Sequence, residues 1–167
     1  MKRLYILASS SVSLLIVGLF VFSDEIVGQP KAQQPTDIES VNTASQAFIA
    51  SIAARDIDAM DKIWAHVPHA TFIGPLSTTV VAGWEGVRKA WQMRFGQFDR
   101  VTISLAGSHV RSNGDVAWVV GMEKVQLLRK TGDTLSFDAF VTNVFEKRDG
   151  RWLMVSHHAT PVFRESK

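Results

Sequence analysis

The chain has 167 residues, with 18 Lys+Arg against 16 Asp+Glu, no Cys, 46% apolar residues and 20% charged ones. That length suits one domain, five Trp and a high apolar fraction exclude disorder, and the lack of Cys excludes a disulfide scaffold, a thiol nucleophile and a thiolate zinc site. Lys2 and Arg3 lie ahead of the fold; without them basic and acidic residues balance, so charge gives no support to a nucleic-acid or acidic-membrane partner.

Lys2 and Arg3 precede an uncharged stretch, Leu4 to Ser23, closed by Asp24 and Glu25. A basic start followed by an apolar run is the pattern of a secretory signal. The run is also close to the length of a membrane-spanning helix, so an uncleaved anchor is the other reading. Residues 1–23 are therefore read as signal peptide or signal anchor. The rest of the chain is expected to be periplasmic or secreted, or held outside a membrane that only this segment touches. Residues 24–37 carry two Pro and three Gln and read as a linker, which leaves 38–163 for one globular domain.

Helices come first. Ile38, Val41, Phe48, Ile49 and Ile52 recur at helical spacing up to Ala54, with Thr36 or Asp37 placed to cap the start. Asp56 caps a second helix, IDAMDKIWA, ended by Pro68; its Ile57, Met60, Ile63 and Trp64 form one stripe. Short strands are expected at Ala70–Ile73 and Thr79–Ala82. A third helix then presents Trp84, Val87, Trp91, Phe95 and Phe98 on one face.

The period then changes. Four segments rich in Val, Phe, Thr and Trp are separated by the turn signals SNGD, TGD and RDGR, which predicts an antiparallel meander of four long strands. Asp149-Gly150 is a strong signal for a two-residue hairpin turn. Several strands are apolar on both faces, so one face covers the helices and the other meets a partner subunit. The fold class is α+β, with helices packed in the concavity of a strongly curved antiparallel or mixed sheet.

The closing run VTNVFEKRDGRWLMVSHHATP resembles the end of SnoaL-like and ketosteroid-isomerase-like members of the nuclear transport factor 2-like superfamily. Its Asp149, Gly150, Trp152, His157, His158 and Thr160 carry the likeness. The stretch is also similar to the association domain of calmodulin-dependent protein kinases. The resemblance implies a cone of three helices and curved sheet around one elongated, mostly apolar pocket, the default place for a small ligand.

Pairing back from the Asp149-Gly150 turn sets Phe145 opposite Met154, Asn143 opposite Ser156 and Val141 opposite His158. This puts Asn143, Ser156 and His158 on the pocket face, and a slip by one residue would bring in Thr142 and His157 instead. In the resembling isomerases a carboxylate base and a neutral donor act on a dienolate. Glu123 leads the carboxylates because it lies mid-strand, with Asp138 and Asp61 behind it. Tyr5, the one tyrosine, lies in the signal, so the donor role falls to a Trp, Asn143 or a protonated acid. His158 is the candidate proton shuttle, although a buried structural histidine is the plainer reading. Trp64, Trp84, Trp91, Phe95 and Trp118 are candidates for an aromatic ligand cage, with core packing as their alternative.

Adjacent His157 and His158 point to opposite faces, and His66 and His69 straddle Pro68, so no metal site is assigned. No phosphate loop, nucleotide fingerprint or nucleophile elbow occurs, and no cofactor is assigned. Two classes of function follow. The first is a pocket for a small apolar or aromatic ligand with cofactor-free isomerase, cyclase or dehydratase chemistry. The second is a non-catalytic module that binds a ligand or protein and forms a homodimer through its sheet face.

Overall fold

The computed structural model describes residues 36–162, so the expected signal or anchor and nearly all of the expected linker lie outside the described residues. The elements are α1 (Asp37–Ala54), α2 (Ile57–Ile63), β1 (Thr71–Ile73), β2 (Val81–Ala82), α3 (Trp84–Phe95), β3 (Phe98–Asn113), β4 (Val116–Arg129), β5 (Thr134–Arg148) and β6 (Arg151–Pro161). Among the described residues no helix is long and apolar enough to cross a membrane.

Local chemistry explains the helix boundaries. Thr36 and Glu39 form a reciprocal capping box at the start of α1. Such a cap contributes about 1 kcal/mol. Asp37 also accepts from Lys147 Nζ at 2.7 Å and Trp152 Nε1 at 3.2 Å, which pins the start of α1 to the last hairpin. Asp56 accepts from the backbone N–H groups of Asp58 and Ala59 and so caps α2. This helix stops at Ile63, short of the expected Ala65, because Trp64 turns extended and makes a bridge to Met154. Phe98, expected on α3, instead opens β3 opposite Arg129.

The six strands form one sheet in the order β2-β1-β6-β5-β4-β3, antiparallel except for β1 beside β6. The four-strand meander runs as the sequence predicts. Asp149 and Gly150 both have positive φ, 48° and 75°, as a type I′ turn requires, and Arg148 faces Arg151 across it.

Long strands curve around the helices because their ladders are interrupted. β3 shifts register between Ala106 and His109. Gly107 takes φ 59° there. Facing this bend is Gly121 of β4, where an added Cβ would stand 2.9 Å from Leu105 Cδ1 and 3.2 Å from the Ala106 carbonyl oxygen. A second shift lies in β6 between the pairs Val144–Ser156 and Phe145–Met154, leaving Val155 as an extra residue. The core fills the concave side: Phe48, Met60, Trp64, Phe72, Phe145 and Met154 are fully buried between the helices and the sheet.

Candidate functional site

A cleft of about 330 Å³ opens at the α3 and β3 side of the concavity. Trp91, Arg94 and Phe95 of α3 form one wall, Val101, Ile103, Glu123 and Leu127 of the sheet another, and Phe72 and His157 the inner end. The size lies at the low end for small-molecule sites, and the lining is mostly apolar with a few polar groups.

His157 enters this wall because of the bulge at Val155. The extra residue slips the pairing, so Asn143 faces His157 and Thr142 faces His158. His157 and Asn143 are both buried, and His157 Nδ1 lies 2.7 Å from Asn143 Oδ1. An amide oxygen only accepts, so Nδ1 carries the proton and Nε2 is left as the acceptor nitrogen. The ring stacks on Phe72 at 5.4 Å and 12° and also meets Phe48 and Trp91. Burial, with the nearby charges of Arg94 and His158 adding to it, pushes its pKa from 6.5 down to about 3. The imidazole is therefore neutral at ordinary pH.

Glu123 arrives by strand alternation. Ala117, Val119, Gly121, Glu123 and Leu127 of β4 all turn inward, so a carboxyl stands in an apolar row. Only 3% of the residue is exposed, and Oε1 has no hydrogen-bond partner. Burial raises its pKa from 4.5 to about 7. A carboxyl with that value is close to half ionised at neutral pH, the condition in which one group both takes and returns a proton. On the α3 wall, the buried Trp91 Nε1–H also lacks a partner.

Arg94 is the basic residue of the lining. Its Nη2 donates to Ser77 Oγ at 3.1 Å and its Nη1 to the Ala90 carbonyl at 3.3 Å. The guanidinium lies 4.4 Å over the Phe72 ring. Gly74 makes this fit, since a Cβ there would stand 3.2 Å from Nη2.

Several expected positions are corrected. His158 is exposed on the outer face, where its Nε2 contacts Thr160 Oγ1, because the bulge hands the inward place to His157. Ser156, on the face opposite His157, bonds to Thr71 Oγ1 and does not line the cleft. Trp118 is 37% exposed on the outer face. Trp64 and Trp84 are buried and stack on each other, with His66 stacked on Trp84, so they belong to the core. Trp91 and Phe95 alone of the five aromatic candidates line the cleft, and Asn143 stands behind His157. Asp61 pairs with Arg88, and His69 with Glu146, away from the cleft. Among the described residues no group of three or more His, Asp or Glu side chains is placed to hold a metal.

Comparison with known proteins agrees with this geometry. The model of the SnoaL-like domain matches residues 41–164. The F-box protein SKIP8 of Arabidopsis thaliana is 32% identical over 123 residues, 74% of this chain. The chain spans about half, 48%, of that protein's length. A chain from Streptomyces avermitilis classed as a dehydratase of the nuclear transport factor 2-like family superposes with TM-score 0.70 at 23% identity, over 77% of this chain and 98% of its own. One from Thiobacillus denitrificans, classed as a calcium/calmodulin-dependent protein kinase type II association domain, gives TM-score 0.62 at 27% identity, over 78% of this chain and all of its own. With its three helices on a curved mixed sheet, the chain has the fold of nuclear transport factor 2-like structures, and it belongs to the SnoaL-like domain family.

Proposed function

We propose that the cleft binds a small, largely apolar or aromatic molecule and transfers a proton on it without a cofactor, as an isomerase, cyclase or dehydratase does. The observation that carries this reading is Glu123, a buried carboxyl with an unpartnered oxygen in an apolar wall. In its ionised form Glu123 takes a proton from a carbon next to a carbonyl. The charge that develops on the carbonyl oxygen meets the Trp91 Nε1–H, a donor with no other partner. Glu123 then returns the proton at a second carbon and ends as it began. His157 accepts a hydrogen bond from a ligand hydroxyl through Nε2, and Asn143 is a positioning residue that fixes this tautomer. His158, on the outer face, has no part in the step.

Hydrogen–deuterium exchange at the α-carbon of 2-tetralone, followed by NMR, tests the base. The wild type should exceed the buffer rate and Glu123→Gln should fall back to it. A wild type no faster than buffer, or a Glu123→Gln protein as fast as wild type, removes Glu123 from the chemistry.

A second observation bears on the non-catalytic reading. Val116, Trp118, Val120 and Phe140 are all more than a third exposed on the outer face of β4 and β5. A second copy of this chain covers that face in our reading, and the likeness to an association domain supports it. Export through residues 1–23 belongs to the same proposal, and compartment fractionation of the tagged full chain tests it.

A further inference from the structure

We infer that the cleft selects a small carboxylic acid, its carboxylate held by Arg94 and its flat apolar body laid against Trp91 and Phe95. The inference rests on the cleft being a ligand site and names the ligand's chemistry.

The starting observation is a cation without a counter-ion. Arg94 is half-buried, and among the described residues it makes no ion pair; its acceptors are the neutral Ser77 hydroxyl and Ala90 carbonyl. A guanidinium has five N–H donors, so three remain. Taking a charge out of water is costly unless something opposes it. Here the opposing groups are one aromatic face and two neutral oxygens.

The group is also held in place rather than free to swing into solvent. Ser77 Oγ accepts both from Arg94 and from the Gly74 N–H at 2.8 Å, so the short turn after β1 fixes the fork. Gly74 leaves the gap that lets the guanidinium lie flat on Phe72. A fixed planar fork facing a cleft matches a carboxylate, which takes two parallel N–H bonds.

Glu123 does not serve as the missing counter-ion. A guanidinium beside it would draw its carboxyl down, yet burial is what acts on it and the shift is upward. Arg94 stands on the α3 wall and Glu123 on the sheet wall with no ion pair between them, anion receptor at one point of the cleft and proton carrier at the other. A ligand anchored at Arg94 keeps its own negative charge away from Glu123 and presents another part of its body there. A single cation in an apolar lining suits a monoanion better than a phosphate, which carries more charge.

Binding of 2-naphthoate and of 2-naphthamide, its neutral isostere, to the full chain at pH 7 and low salt is the test, with heteronuclear NMR locating the site. The naphthoate should bind about 10- to 100-fold more tightly. Arg94→Met should erase that difference while Arg94→Lys retains part of it, with circular dichroism confirming that both variants are folded. Equal binding of the two probes to wild type, or a preference that survives in Arg94→Met, overturns the inference and leaves the cleft as a site for neutral ligands. Binding of neither probe overturns both the inference and the ligand-site reading.

Discussion

His157 and Asn143 face each other across the β5–β6 pair, Nδ1 to Oδ1 at 2.7 Å, and both are buried. That one bond decides which ring nitrogen is protonated and so which one the cleft receives. Removing the amide by Asn143→Ala leaves a buried N–H unpaired, at a cost of about 1–3 kcal/mol. His158→Ala, on the exposed side of the same strand, should stay within about 0.5 kcal/mol of wild type. Urea denaturation of the two variants side by side checks the contrast; equal losses would mean that the inward and outward histidines are misassigned.

The two titrating groups of the cleft pull stability in opposite directions. Glu123 has its folded pKa raised from 4.5 to about 7, so the folded state keeps a proton that the unfolded chain has lost. Stability falls by about 1.4 kcal/mol per pH unit across that window. His157 has its folded pKa lowered from 6.5 to about 3, so there the unfolded chain holds the extra proton and stability rises with pH. Between pH 4.5 and 6.5 the two slopes oppose each other and the wild type should be nearly flat. Glu123→Gln should expose a clear rise of stability with pH over that range. Denaturant midpoints measured from pH 4 to 8 read this out, and identical profiles for the two proteins would contradict the burial of Glu123.

Gly121 sits where β4 passes closest to the bend in β3. A methyl group there meets both a side chain and a backbone oxygen of β3, and the backbone has little room to give. Gly121→Ala should cost about 1–3 kcal/mol, as overpacking does elsewhere. An unchanged urea midpoint would show that the bend relaxes freely.

Charged residues on the outer sheet test the second copy. Trp118→Lys combined with Phe140→Lys should halve the mass seen by light scattering, while the far-ultraviolet circular dichroism remains that of the folded domain. A wild type that is already monomeric at tens of micromolar would remove the proposed interface.

The meander and its last turn were legible because their signals are local. Asp149-Gly150 needs positive φ at both residues, and few other sequences supply it. Glu123 was singled out by its place mid-strand in an apolar segment, and alternation along β4 is what turns it inward. The bulge at Val155 was not legible, since an extra residue in a strand leaves no mark in an apolar run, and every residue beyond it changed face. Arg94 was missed for a different reason. On its own helix it is a polar residue between the stripe positions Trp91 and Phe95, and its place against Phe72 depends on the turn from Gly74 to Ser77, folded in from elsewhere. Trp64 went to the core because α2 stops before it and the extended residue bridges Met154, which the stripe alone did not mark.

The paired histidines give the last strand an unusual tolerance. Were the bulge ironed out and Val155 paired with Val144, His157 would turn outward and His158 would take a place on the inner face opposite Val141. A register slip that would strip most strands of their key side chain would here replace one imidazole with its neighbour, one place further along the strand, so the two act as mutual spares.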